Sequence, residues 1–146
     1  MKHRMKKNCI TIYPTENPSP VLWMLYKNRR VRVFLDDIIY LESQANYTVF
    51  YLKNGRAIIN SRTMGIFENL FEHKSFFRVH RSFIVNLHYI DQINIIKHTS
   101  GVIGLRNGKQ LLLSRRKIKP FLQEFVNCEN ANPQVTIHII NQPIAA

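Results

Sequence analysis

The chain has 146 residues, of which 45% are hydrophobic and 11% aromatic; this suits one domain with a real core and argues against a wholly disordered chain. Its 21 Lys and Arg against 9 Asp and Glu give a net charge of +12, which points to an anionic partner, nucleic acid first and an acidic membrane surface second. No apolar run has the length of a signal-peptide core or a membrane span.

In chain order, residues 1–24 read as a basic, proline-containing arm, with four cations within Lys2–Lys7 and ITIY at 10–13 as a candidate edge strand. From about Leu22 the pattern becomes that of strands: VRVFL at 31–35, DDIIYLE at 36–42, YTVFYL at 47–52 and AIIN at 57–60. Asn54-Gly55, between two of these runs, predicts a tight hairpin with a type I′ turn, because both residues accept positive φ. Met64, Phe67, Leu70 and Phe71 then share one face at helical spacing, behind Ser61 or Thr63 as N-cap. Strands resume with FIVN at 83–86, YIDQINII at 89–96 and VIGL at 102–105, and a second Asn-Gly turn at 107–108 leads into QLLL at 110–113. No repeating strand–helix–strand pattern is present, so the sheets are expected to be largely antiparallel.

The last helix has an informative start. Ile118, Phe121, Leu122, Phe125 and Val126 form one apolar stripe, and Ser114 is a good N-cap. Arg115, Arg116 and Lys117 follow at once, where the helix dipole disfavours each exposed cation by roughly 0.3–1 kcal/mol. Pro120 lacks the N–H that would bond back to Arg116, so the helix is expected to begin at Pro120, with 114–118 as a turn or kinked first turn. Beyond Glu129, VTIHII either adds a strand to a sheet edge or remains a tail of strand propensity.

Enzyme chemistry finds little support. There is no glycine-rich phosphate loop and no nucleophile elbow, and Asp36-Asp37 is a common turn pair. The six histidines at 3, 73, 80, 88, 98 and 138 lack accompanying Cys or acidic ligands, so neither a metal nor another cofactor is expected. Cys9 and Cys128 are far apart, which suits a reducing cytoplasm. Cations and hydrogen-bonding groups collect instead at three element boundaries: beyond IIYLE, at HRS in FFRVHRSFIVN, and at SRRK. Loops held by rigid strands are good places to display contact groups, and Arg, Asn, Ser and Lys suit base edges and phosphates. Helix-turn-helix and zinc-finger patterns are missing, as is the signature of the RNA-binding sheet module.

LESQANYTVFYLKNGR, FFRVHRSFIVN and LLLSRRKIK, in this order and spacing, resemble the LytTR DNA-binding domain of bacterial transcription regulators. FFRVHRSFIVN is the most specific piece, and the resemblance covers roughly residues 25–127. It implies a mostly β fold with two short helices, built of short antiparallel sheets in an elongated stack. It also implies that loops, rather than a recognition helix, enter successive major grooves of double-stranded DNA. The matching positions are Asn46, Tyr47 and Thr48 in the first loop and Arg81, flanked by His80 and Ser82, in the second. The third is Arg116, with Arg115 and Lys117 as phosphate partners.

The expected organisation is an arm over 1–24, a DNA-binding domain over 25–128 and a tail over 129–146. Many relatives carry a receiver domain in front; about 24 residues precede the match here, so a stand-alone regulator is expected, with two copies on promoter repeats and an unidentified signalling partner left open. Two rival readings stand beside it: a protein-interaction module of the same fold with only non-specific nucleic-acid binding, and a single-strand or RNA binder stacking bases on Tyr47 and Tyr51.

Overall fold

The computed structural model describes residues 11–13, 20–72, 74–97, 99–128 and 131–140. The basic run Lys2–Lys7, Cys9, His3, His73 and His98 lie outside the described residues. The fold is mostly β, with two short helices and several antiparallel sheets, and it divides into two compact units between Leu70 and Phe71.

In the N-terminal unit, β1 (Thr11–Tyr13), β2 (Val21–Tyr26) and β3 (Arg29–Phe34) pair antiparallel in that order. Leu22, Met24 and Val33 point to the core side of this sheet and are buried. A 3₁₀ turn at Leu35–Asp37 replaces the expected start of the next strand, which places Asp37 against Lys53 at 3.0 Å. β4 (Ile38–Gln44), β5 (Tyr47–Leu52) and β6 (Ala57–Asn60) form an antiparallel meander. Helix α1 (Met64–Leu70) packs Phe67 edge-on against Phe50 of β5, ring centroids 4.7 Å apart.

The two Asn-Gly turns differ from the sequence expectation. At 52–56 the Gly55 N–H donates to Leu52 C=O (3.0 Å) and the Leu52 N–H to Arg56 C=O (2.9 Å), with positive φ at Gly55 (+85°) and not at Asn54. This is a three-residue loop closed by a glycine in the left-handed region, not a type I′ turn. Asn54 instead uses its side-chain oxygen to accept from the Arg56 N–H at 2.9 Å. The pattern recurs at 105–109 around Gly108 (φ +88°) and Asn107. The two-residue turn with both centres at positive φ is at Lys27 (+51°) and Asn28 (+62°), between β2 and β3.

In the C-terminal unit, β7 (Phe76–His80) and β8 (Phe83–Asn86) form a hairpin. Asn86 is buried; its side-chain oxygen accepts from the His88 N–H and the Ser75 hydroxyl, which sets the turn before Tyr89. β9 (Ile90–Ile96), β10 (Ser100–Leu105) and β11 (Gln110–Leu113) form an antiparallel sheet. β12 (Thr136–Ile140), from the VTIHII segment, joins β9 in parallel, the one departure from antiparallel pairing among these ladders.

The final helix also differs from expectation. A 3₁₀ turn at Arg115–Lys117 runs straight into α2 (Ile118–Asn127), so the helix starts at Ile118 rather than Pro120. Pro120 is the third helical residue, where a backbone N–H has no intrahelical acceptor, so its missing donor costs nothing there. Ser114 caps the 3₁₀ turn, not α2, and makes no side-chain cap bond.

Candidate nucleic-acid interface

The first loop candidate is the two-residue link between Gln44 and Tyr47. Ala45 stands there at φ +53°, in the left-handed region that Cβ-bearing residues avoid at a cost of about 1–2 kcal/mol. Asn46 is exposed and Tyr47 is 52% exposed, so both present their side chains to solvent. Thr48 does not: it is fully buried, and its hydroxyl donates to Arg62 C=O at 2.7 Å, anchoring the loop from beneath. Gln44, Ala45, Tyr47 and Ile59 line an open recess of about 430 Å³ beside the loop.

Tyr51 is not a free stacking platform. Its ring stacks on Tyr40 at 4.4 Å and 12°, and its hydroxyl donates to Glu42 at 3.1 Å. Burial, then the Glu42 carboxylate beside it, pushes the Tyr51 phenol above its ordinary pKa. Gln44 donates to the same carboxylate at 3.3 Å, which ties the loop base to this cluster. The single-strand reading therefore loses one of its two aromatic groups.

The second candidate is the Arg81-Ser82 turn between β7 and β8. Here β7 holds one residue more than its partner: Arg78 pairs with Ile84 and His80 with Phe83, leaving Val79 as a bulge. Val79 and Val85 are fully buried, whereas Phe77 and Phe83 are half-buried. Arg81 is exposed, and Arg78 donates across the turn to Arg81 C=O at 2.8 Å. The Ser82 N–H donates to Nδ1 of His80 at 3.1 Å, so the neutral imidazole carries its proton on Nε2. Burial, with the Arg81 charge next, lowers the His80 pKa and favours this neutral form.

The third candidate is the 3₁₀ turn. Arg115 and Arg116 are exposed and, with Ile118 and Lys119, line a shallow recess of about 480 Å³. Lys117 is half-buried, its ammonium 5.9 Å from the centre of the Phe77 ring. Phe77 also meets Phe121 of α2 edge-on at 5.8 Å. The Ser114 N–H donates at 2.8 Å to the carbonyl of Val79, the bulged residue. The structure thus brings the Arg81 and Arg115–Lys117 turns together within one unit. Sequence reasoning missed Arg78 as the brace of the Arg81 turn and Lys119 as a recess wall; the Arg-x-x-Arg spacing across a hairpin tip was the available signal for the first.

The family model of the LytTr DNA-binding domain matches residues 28–125. The chain belongs to the LytTr DNA-binding domain family. The LytTr domain is a DNA-binding module rather than an enzyme family, which supports DNA binding and a place in transcription regulation. A similar solved structure is a LytTr DNA-binding domain from Bacillus cereus. It is 23% identical, with a TM-score of 0.62 over 74% of this chain and 97% of that one, a likeness of fold. No curated protein matches the chain. Among the described residues of this LytTr protein, no helix is long and apolar enough to cross a membrane, and no group of three or more potential ligands converges as a metal site.

Proposed function

We propose that this LytTr protein is a cytoplasmic, sequence-specific regulator of bacterial transcription. It binds double-stranded DNA through loops in the major groove, with two copies on paired promoter repeats. Arg81 and Arg116 read base edges, Asn46 and Tyr47 supply the first-loop contact, and Ser82, Arg115 and Lys117 serve phosphates. His80 and Thr48 position the turns that carry the readers. The observation supporting this reading most strongly is the link from Val79 to Ser114, which couples two exposed arginine turns. Guanidinium groups displayed on held turns suit guanine edges, where each good two-bond contact contributes roughly 1–3 kcal/mol of discrimination.

The experiment is selection from random duplex DNA at moderate salt, followed by Arg81→Ala and Arg116→Ala on the selected site. The expected result is an enriched pair of short repeats, with each variant weakened by about 1–3 kcal/mol and relaxed in specificity. Normal binding by both variants would sink the base-reading assignment. Binding that salt abolishes, with no enriched sequence, would favour the non-specific interaction module instead.

A further inference from the structure

The β2–β3 hairpin carries a second concentration of cations, apart from the three loops. Between Val21 and Phe34 the sequence holds Lys27, Arg29, Arg30 and Arg32, and no acidic residue. All four cations are exposed. The register explains their display. Cross-strand partners share a face, so Leu22, Met24 and Val33 point to the core, while Trp23 and Arg32, Leu25 and Arg30, and Val21 and Phe34 share the other face, which is buried at Val21 and exposed at the two arginines. That outer face is a run of guanidinium groups laid beside rings: Arg30 sits 5.2 Å from the Trp23 ring centre and Arg32 5.3 Å from that of Phe34.

Two physical features fit this face to a phosphodiester backbone. A guanidinium held over a ring is attracted through its charge, while its N–H donors lie in its own plane and remain able to reach anion oxygens. The rings therefore hold both arginines beside them at the exposed surface of the hairpin. Arg30 and Arg32 are two residues apart on one strand, which sets their Cα atoms roughly 6.6 Å apart. That is close to the separation of neighbouring phosphates along one DNA strand. Like charges at this spacing disfavour the hairpin on its own, and a polyanion would relieve that repulsion.

We propose that the outer face of β2–β3, centred on Arg30 and Arg32, is a sequence-independent phosphate-binding surface for duplex DNA. It rests on the DNA-binding reading above and adds affinity without adding specificity. Trp23, the chain's one tryptophan, sits in this face and reports on it by fluorescence.

The test compares wild type with the double variant Arg30→Gln/Arg32→Gln, on the selected duplex and on random duplex, over a range of salt. The expected loss is about two units of the slope of log affinity against log salt, one per phosphate contact. Both duplexes weaken by the same factor, and random duplex changes Trp23 emission in wild type. The charge-keeping Arg30→Lys/Arg32→Lys protein retains the slope, which separates charge from folding. An unchanged slope in the Gln variant overturns the proposal, as does a selective loss on the selected site. A Trp23 response to vesicles of anionic lipid but not to duplex overturns it as well. If wild type enriches a sequence but the slope is unchanged, only the hairpin claim fails; if the slope falls but no sequence is enriched, only the specific-regulator reading fails.

Discussion

The Val79 carbonyl accepts a hydrogen bond from the Ser114 N–H at 2.8 Å, joining a strand bulge to the entrance of the basic 3₁₀ turn. A bulge leaves one backbone group outside its own ladder, and here the acceptor from β7 is used to hold the chain leaving β11. The bond is between main-chain groups, so the side chain at 114 is free to vary only while its N–H remains.

Ser114→Pro tests this bond with little other disturbance. Ser114 has φ −63° and ψ 142°, which proline adopts without strain, but proline has no N–H. The Val79 carbonyl would lose its partner beside a fully buried side chain, at a cost of about 1–3 kcal/mol, offset by the stiffer unfolded chain by roughly 0.4–1 kcal/mol. Urea unfolding is expected to show a net loss, and Ser114→Ala, which keeps the N–H, is expected to show almost none. Matching midpoints for the two variants would refute the coupling.

His80 gives the second turn a pH dependence. Its folded pKa lies below the usual 6.5, so between those values the unfolded chain binds more protons. Stability from His80 is therefore fully present above about pH 6.5 and is lost as pH falls through the lower folded value. Protonation at Nδ1 also removes the acceptor of the Ser82 N–H. On the proposed reading, acidification weakens binding to the selected duplex more than to random duplex, although it adds positive charge. Comparison of wild type with His80→Gln from pH 7.5 to 5.5 measures this as the difference between the two profiles, and parallel profiles would count against it.

Ala45 should be improvable for stability. Glycine removes the left-handed penalty of about 1–2 kcal/mol and adds roughly 0.4–1 kcal/mol of unfolded-chain entropy. Ala45→Gly is thus expected to hold or raise the melting temperature, whereas Ala45→Val, with a branched Cβ at the same φ, lowers it. A lower melting temperature for the Gly protein would show that Ala45 gains more from packing than it loses in strain.

Gly101 is a packing constraint rather than a turn. A Cβ there would lie 3.0 Å from Leu113 Cδ2 and 3.2 Å from the Asn94 carbonyl oxygen. Gly101 pairs directly with Leu113, the residue before Ser114, so the clash falls at the base of the third loop. Gly101→Ala is expected to cost about 1–3 kcal/mol in denaturant unfolding. A neutral substitution would mean that β11 yields without consequence.

Strand positions are legible because alternation and β-branched runs encode them locally: YTVFYL is the strand at 47–52, and TIHII lies within a segment of strand propensity. Turn geometry is less so. Asn-Gly signals a reversal, but the choice between two- and three-residue loops depended on Asn54 and Asn107 bonding backbone two residues ahead. The two-residue turn with both centres at positive φ is at Lys27-Asn28, a weaker signal in the sequence. The bulge at Val79 and the start of α2 depend on contacts distant in sequence, Ser114 with Val79 and Phe121 with Phe77. The same holds for the burial of Thr48, which looks like a surface loop residue until Arg62 is brought beneath it.

The extra residue in β7 makes this segment sensitive to length in a way its composition does not reveal. Side chains alternate along a strand, so gaining or losing one position shifts all later ones to the opposite face. Between Phe76 and Phe83 the bulge already uses one such step to put Val79 inside and Arg81 at the tip. Exchanging the side chain at 81 changes which group is displayed and leaves the frame intact. Inserting or deleting a single residue before it would turn the display inward and detach the carbonyl that holds Ser114, so divergence at this hairpin is open to substitution and closed to a change in residue count.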